Sequence, residues 1–356
     1  MKKMKFLTAL LVFALIFTLT ACGGGGGGED TGGGDDAVVV ETGGGDDVVE
    51  PVAESTTFTI GYTFPTINNE FWGKSLQNLQ AAEQALGFDL TYVACENDQA
   101  KQIADVEGMI SAGIDGLVLA PQDASVCPGI IADCDAAGIP VIVIDRWPGD
   151  DLVAGEDYIA FIGPDDLNAG YGIAMSLIDG GCKNIVGIGG FQNTSVAEGR
   201  KAGLDKALAE NPDITLLQYE WAGESMEVGD ATLRNMMQAH GNIDGVWCYN
   251  DSLALASVNV LKEAGKIGDV KVGGMDLLDP AVNSMAAGEL WFSTGGHYMQ
   301  AAFAAIVVFD VLNGIPYAGD AVIKIKLFNV SQENLDQFIA KYVDNQIGRA
   351  SCRERV

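Results

Sequence analysis

The sequence alternates short apolar runs with longer amphipathic segments, and glycine follows many of these segments. An apolar run at Phe58–Phe64 precedes an amphipathic segment at Glu70–Leu86, and Gly87 follows it. The same order returns at Phe88–Ala94 and then again along the chain. Short apolar runs are typical of buried strands, and a glycine after an amphipathic segment is typical of a helix end. Strands that alternate with helices favour parallel sheets, so we predict an α/β fold.

The number of strand–helix units predicts two lobes, each built on a doubly wound parallel sheet. Together the units exceed what one core of ordinary size contains. The predicted strands are Phe58–Phe64, Phe88–Ala94, Gly116–Ala120, Pro140–Ile144 and Tyr158–Gly163 in the first series, and Asn184–Ile188, Ile214–Trp221, Gly245–Tyr249, Val270–Met275, Leu290–Thr294 and Val322–Phe328 in the second. A helix at Gln332–Tyr342 is the last predicted element.

Polar side chains follow four of the predicted strands at the points where they end. The stretch Phe58–Trp72 reads FTIGYTFPTINNEFW, and Val141–Arg146 reads VIVIDR. Trp247–Asp251 reads WCYND, and Val272–Asp276 reads VGGMD. Because parallel α/β sheets bind ligands at the carboxyl ends of their strands, we predict one polar site assembled from distant parts of the chain.

The first 22 residues predict a secretory signal. Lys2, Lys3 and Lys5 precede an apolar run at Phe6–Leu19, which is too short to span a bilayer comfortably. The run ends in Leu-Thr-Ala-Cys, which resembles a bacterial lipobox whose cysteine, here Cys22, becomes the lipidated first residue of the mature protein. An ordinary secretory signal with an incidental cysteine, or a short membrane anchor, is the alternative.

Residues 23–55 and 347–356 differ in composition from the rest of the chain. Residues 23–55 are mostly Gly, Asp, Glu and Val, so they cannot bury enough apolar surface to offset chain entropy. We predict a disordered tether that holds the domain roughly 30 Å from its anchor. Its nine acidic residues account for about a third of the formal net charge of −29. Residues 347–356, IGRASCRERV, are basic, and we interpret them as a non-native tail.

The remaining sequence argues against nucleic-acid binding and against catalysis. It is strongly acidic and offers no basic patch for phosphates. The glycine-rich loop Gly187–Gln192 has Gln192 where a dinucleotide-binding loop needs its third glycine. The chain has no G-x-S-x-G motif, and His240 and His297 do not share a metal-binding spacing. We therefore expect that the protein is not an enzyme and that it binds neither a cofactor nor a metal ion. The five cysteines of the domain form no C-x-x-C pair, and we expect free, mostly buried thiols.

Five segments, in this order and spacing, give the chain a resemblance to the type I periplasmic binding proteins, in the ribose/galactose-binding branch. They are INNEFW at 67–72, PVIVIDR at 140–146, TSVAEGRKAGL at 194–204, YNDSLALASVNVLKEAG at 249–265 and GGMD at 273–276. The resemblance covers almost all of Phe58–Tyr342. It implies a hinge of three crossings, near Gly163–Asp165, Thr294–His297 and Gly319–Val322, between an N-terminal lobe of 58–163 plus 296–321 and a C-terminal lobe of 164–295 plus 322–342.

The resemblance also implies which residues bind a sugar. Aromatic faces contact ring C–H groups, and ionised side chains make strong hydrogen bonds to hydroxyls. Two carboxylates with two guanidiniums would leave the site close to neutral. The matching residues are Asn69, Phe71, Trp72, Asp145, Arg146, Arg200, Asn250 and Asp276, and Thr66, Trp221 and His297 are further candidates.

Structural roles compete with several of these assignments. Trp72 could serve only to pack its helix against the core, and Asp276 could be the first residue of a helix. Arg200 has solvated neighbours on its helix and could itself face solvent. Asp251 is expected to cap a helix rather than to bind ligand. The sequence also departs from the family pattern, because Glu224 stands at the second-lobe aromatic position and Gly296, with His297 next to it, at the hinge-proximal amide. These departures leave the identity of the ligand open.

The resemblance implies a monomeric, extracytoplasmic solute-binding protein, anchored by lipid on Cys22, that hands a simple sugar to an ABC permease. A pentose, hexose or related polyol would be enclosed by lobe closure. A sensory protein that docks on a chemoreceptor or a histidine-kinase ectodomain would use the same cleft and is the alternative. A transcription regulator with this fold would need a helix-turn-helix and a basic face, which the acidic N-terminal region does not supply.

Overall fold

The computed structural model describes residues 57–343, and its elements follow the predicted alternation of strands and helices. The predicted signal at 1–22 with Cys22, the tether at 23–55 and the tail at 347–356 lie outside the described residues. Within 57–343, none of the helices combines the length and apolar content needed to cross a membrane.

The described residues form two series of strands with helices between them. The strands are β1 Thr59–Phe64, β2 Asp89–Ala94, β3 Gly116–Leu119, β4 Val141–Ile144, β5 Phe161–Pro164, β6 Asn184–Gly189, β7 Thr215–Trp221, β8 Gly245–Cys248, β9 Lys271–Asp276, β10 Phe292–Gly295, β11 Val322–Ile325 and β12 Phe328–Ser331. The α-helices are α1 Glu70–Leu86, α2 Gln99–Ala112, α3 Cys127–Ala137, α4 Asp166–Asp179, α5 Ser195–Glu210, α6 Met226–Ala239, α7 Asp251–Glu263, α8 Asp279–Ala286, α9 Gln300–Leu312 and α10 Leu335–Phe338.

Helix α1 shows how local sequence sets these boundaries. The side chain of Asn69 accepts a hydrogen bond from the backbone N–H of Phe71 and so caps the first turn. At the other end Gly87 has a φ of 79°, a left-handed conformation, and its N–H donates to the Glu83 carbonyl. Gly113 ends α2 in the same way. The predicted glycine stops are therefore confirmed here.

The strands form two six-stranded sheets with corresponding strand orders. The first has the order β11-β5-β4-β3-β1-β2, and the second has the order β12-β10-β9-β8-β6-β7. All strand pairs are parallel except β10 with β12, which is antiparallel. The prediction of an α/β fold with two doubly wound sheets is confirmed.

The predicted strand Val322–Phe328 is wrong, because two strands occupy this region and they belong to different sheets. β11 pairs with β5 of the first sheet, and β12 pairs with β10 of the second. The chain therefore crosses between Ile325 and Phe328, and the predicted crossing near Gly319–Val322 is too early. Residues Val322–Phe328 read VIKIKLF, an unbroken run of apolar and lysine residues, so the sequence pattern does not mark the change of partner. The predicted helix Gln332–Tyr342 is also shorter, since α10 gives way to a π-helical segment at Ile339–Val343.

Buried side chains on both faces of each sheet form the core. The central strands β3, β4 and β8 are buried at every residue, as expected for parallel sheets covered by helices. The five cysteines of the described range are all free and buried, which confirms that prediction. Burial raises the pKa of the Cys127 and Cys134 thiols to about 12, so both are neutral near pH 7.

Candidate functional site

One cavity collects polar and aromatic side chains from both sheets. Its atom-free volume, including its opening to solvent, is about 280 Å³. Most of the lining residues lie at or shortly after the carboxyl end of a strand, which is where parallel sheets present ligand-binding groups, and Arg200 lies within α5. The lining residues are Asn69, Phe71, Trp72, Asp145, Arg146, Arg200, Glu224, Tyr249, Asn250, Asp276 and His297.

The start of α1 supplies the aromatic wall. The Phe71 and Trp72 rings meet edge to face, with centroids 4.9 Å apart. Trp72 is 2% exposed and also stacks on Phe64 of β1, at 6.2 Å between centroids. It therefore packs its helix and lines the cavity at once. Because Asn69 uses its Oδ1 for the helix cap, its Nδ2 is left to face Glu224 Oε2 at 3.5 Å.

Asp145 and Arg146 follow β4 and point in different directions. Asp145 has a φ of 68°, an unusual left-handed conformation for a non-glycine residue. Gln300 Nε2 donates to Asp145 Oδ1 at 2.7 Å. The Arg146 guanidinium instead donates to the Gln122 carbonyl at 2.8 Å and to Glu224 Oε1 at 3.3 Å. Burial raises the pKa of the Asp145 carboxyl, and the nearby Arg146 charge opposes that rise.

Arg200 is held rigidly on α5 by the close approach of α4. A Cβ atom at Gly170 would come within 1.9 Å of the Arg200 carbonyl oxygen, so only glycine permits this crossing. The Arg200 Nε donates to Asp166 Oδ1 at 2.9 Å, and its NH1 donates to the Tyr249 carbonyl at 3.0 Å. Its guanidinium carbon lies 4.3 Å from the centre of the Tyr249 ring, a cation–π contact. Arg200 is 3% exposed, so it is not a solvated helix residue.

Asp276 is the last residue of β9, and Asp251 holds the loop that follows this strand. Asp276 has a φ of 132° and is 4% exposed. Behind it, the buried Asp251 carboxylate accepts from the Leu278 N–H at 3.0 Å and from Ser293 Oγ at 2.8 Å. The expectation that Asp251 caps α7 is wrong: Asn250 is the cap, because its Oδ1 accepts from the Leu253 N–H.

His297 lies between the two aspartates. Its Nε2 is 3.9 Å from Asp145 Oδ1 and 3.9 Å from Asp276 Oδ1. Its ring packs on Phe71, with centroids 4.6 Å apart. Burial, together with the charge of Arg200, lowers the pKa of His297 well below its usual range, so the imidazole is neutral.

Comparison with known proteins decides the family. The profile of the family described as periplasmic binding protein domain matches residues 60–316. The chain belongs to this family. It is 28% identical over 243 residues to a xylitol-binding protein of Mycolicibacterium smegmatis, covering 67% of this chain and 68% of that one. It is 27% identical over 221 residues to a ribose import binding protein of Bacillus subtilis, covering 62% and 70%.

A solved structure shows the same fold. An ABC transporter periplasmic solute-binding protein from Actinobacillus succinogenes, with bound D-allose, superposes with a TM-score of 0.74 at 24% identity. The match covers 79% of this chain and all of the other. Proteins of this family bind solutes for transport and are not enzymes, so this chain is a binding protein and not an enzyme.

The eight principal residues predicted from the family resemblance all line the cavity, and so does His297. Thr66 and Trp221 do not. Thr66 donates to Glu96 Oε2 at 3.1 Å and lines a separate surface groove. Trp221 packs edge to face on Tyr219, with centroids 5.0 Å apart, and its loop does not bring it to the cavity.

Two lining residues, Glu224 and Tyr249, were missing from the prediction. Glu224 follows β7, and Tyr249 Oη donates to Glu224 Oε1 at 3.2 Å. Both follow strand ends, so the rule that found Asp145 could have found them. Their presence also corrects the expected charge balance. Three carboxylates, not two, share the cavity with two guanidiniums, so the lining side chains are not balanced when all three carboxyls are ionised.

Proposed function

We propose that the protein is an extracytoplasmic solute-binding protein that captures a simple sugar or related polyol and delivers it to an ABC permease. The convergence of side chains from both sheets on one buried cavity carries this proposal. The names of the xylitol- and ribose-binding relatives support the ligand class. The lobes would be 58–163 plus 296–325 and 164–295 plus 328–342.

The chemistry of the cavity suits a hydroxylated ring or chain. Phe71 and Trp72 offer apolar surface to C–H groups, and Asn69, Asn250 and the charged side chains surround the polar rim. The Nε of Arg146 and the Nδ1 of His297 are buried and have no hydrogen-bond partner within residues 57–343. A hydroxyl both donates and accepts, so a polyol could satisfy groups of either kind.

Contacts between the two lobes indicate how binding is coupled to closure. Arg146 of the first lobe bonds to Glu224 of the second, and Trp147 N donates to Ser195 Oγ at 3.2 Å across the same cleft. Lys74 also pairs with Asp279 across it. Ligand contacts made by both lobes would favour the closed form over the open form. The closed form is the one that a permease would bind.

Isothermal titration calorimetry of the purified protein against pentoses, hexoses and polyols tests this function. We expect saturable binding of at least one of them at micromolar protein. An absence of heat with every member of the panel would refute the sugar assignment. Lipid anchoring is tested separately, because Cys22→Ser should move the protein from the membrane fraction to the soluble fraction. An unchanged distribution would refute the anchor without affecting the binding proposal.

A further inference from the structure

The cavity carries more negative charge than its cations can balance. Asp145, Glu224 and Asp276 line it, against Arg146 and Arg200. His297 contributes no positive charge, because burial and the charge of Arg200 lower its pKa well below its usual range. Buried carboxylates are costly unless they are paired with a cation or well hydrogen-bonded. The excess is therefore removed either by a bound proton or by a cation.

Both guanidiniums are already engaged elsewhere. Arg146 pairs with Glu224 Oε1 at 3.3 Å and with the Gln122 carbonyl. Arg200 pairs with Asp166 Oδ1 at 2.9 Å, and Asp166 is outside the cavity lining. Neither guanidinium makes a hydrogen bond to Asp145 or Asp276, which are the two carboxylates on either side of His297.

The buried carboxylates of Asp276 and Asp145 therefore have few hydrogen-bond donors around them. Within the part of the chain that the structure describes, no donor makes a hydrogen bond to the Asp276 side chain, and Gln300 is the donor to Asp145. The two residues are 4% and 5% exposed. Their Oδ1 atoms each lie 3.9 Å from the same His297 nitrogen, so they face one region of the cavity. Asp251 adds further negative charge behind Asp276.

We propose that the solute carries a protonated amine among its hydroxyls, as an amino sugar or aminocyclitol does, and that its ammonium group binds between Asp145 and Asp276. This inference rests on the proposed function and specifies its ligand class. An ammonium group is compact and has three N–H donors, so it can donate to both carboxylates and still reach a third acceptor. A metal ion fits less well, because the described residues contain no cluster of three or more side chains able to hold one.

The ionisation of the aspartates agrees with this arrangement. Burial raises the pKa of both carboxyls, and the charge of Asp251 raises that of Asp276 further. Without a cation, part of the population would bind a proton at this site. An entering ammonium group favours the ionised carboxylates, so binding of an amine should release protons, whereas binding of a neutral polyol should not.

Calorimetry with matched pairs tests the inference. The probes are D-glucosamine against D-glucose, D-galactosamine against D-galactose, and an inosamine against myo-inositol, each titrated in two buffers of different ionisation enthalpy. We expect the amine of at least one pair to bind about tenfold or more tightly than its hydroxyl counterpart, with proton release. Equal or tighter binding by the neutral member of every pair that binds would overturn the amine inference and leave the sugar-binding function intact. No binding by any member, together with no binding in the wider sugar panel, would instead overturn the function.

A variant distinguishes the effect of the ligand's positive charge on affinity from the effect of a structural change in the site. Asp276→Asn keeps the shape of the side chain and removes one of the two unpaired charges. Its affinity for the amine should fall about tenfold or more beyond any loss of affinity for the neutral counterpart, which loses only a hydroxyl acceptor. The melting temperature of the ligand-free variant should be equal to or above that of the parent, because a buried unpaired charge is gone. Equal weakening of amine and neutral ligand would refute the proposal.

Discussion

Replacing Glu224 with glutamine should weaken ligand binding by loosening the closed form. Glu224 accepts hydrogen bonds from Arg146 and Asn69 of the first lobe, at 3.3 and 3.5 Å. It belongs to the second lobe, where Tyr249 Oη also donates to it. In the proposed two-lobed arrangement, the carboxylate joins the lobes in the closed form, and opening would expose it to water.

The expected size of the effect follows from these contacts. A hydrogen bond to a charged group contributes about 1.5–3 kcal/mol, and breaking a buried ion pair can cost more. The two contacts between lobes are long, and Arg146 keeps the Gln122 carbonyl, so we expect about 2 kcal/mol. Since apparent affinity scales with the closed population, the Kd should rise about 30-fold.

Calorimetry of Glu224→Gln with the best ligand of the panel measures this change, and small-angle scattering reports the fraction that closes at saturation. Glu220→Gln is the matched control, because Glu220 is exposed, lies four residues away and bonds only to Gln218 within the described residues. A change of less than about threefold in Glu224→Gln, or an equal change in the control, would refute the idea that Glu224 links the closed lobes.

Three further predictions concern binding and stability. Asp145→Ala should weaken binding by about 2–5 kcal/mol, because it removes a ligand acceptor and leaves a buried amide donor unpaired; a calorimetric loss below about 0.5 kcal/mol would place the site elsewhere. Gly170→Ala should destabilise the fold by about 1–3 kcal/mol or more in urea unfolding, since its Cβ would collide with the Arg200 carbonyl, whereas Gly241→Ala, with open space around it, should not. Burial raises the pKa of Asp166 to about 7, so the folded state binds more protons than the unfolded state from about pH 4 to about pH 7. The free energy of unfolding of the ligand-free protein should then fall as pH rises through that window, and urea titrations that show a rise would contradict this.

Local sequence was sufficient to predict most of the elements and a polar site at the strand ends, and the family resemblance supplied the individual site residues. The helix at Glu70–Leu86 has its predicted bounds, because Asn69 and Gly87 act on the backbone within a few residues. The location of the site could be predicted because parallel strands end at a common edge, so a polar residue at the end of a strand has a known location. Asp145 and Asp276 follow that rule.

Long-range partners could not be read from the same patterns. The sequence of an edge strand does not identify its neighbouring strand, so β11 was assigned to the wrong sheet. Aromatic Trp221 and polar Thr66 had suitable chemistry for ligand binding, but loop geometry directs them away from the cavity.

The sequence by itself determined that this is an α/β protein with two parallel sheets and a polar site at its strand ends, since period, capping and strand-end position are local properties. Only the tertiary structure decided which charges neutralise one another. The pairs Arg146–Glu224 and Arg200–Asp166 join residues 78 and 34 positions apart, and ion pairing depends on distances of a few ångströms that no local pattern encodes. For that reason the net charge of the cavity, and with it the proposed ligand class, became visible only in the folded chain.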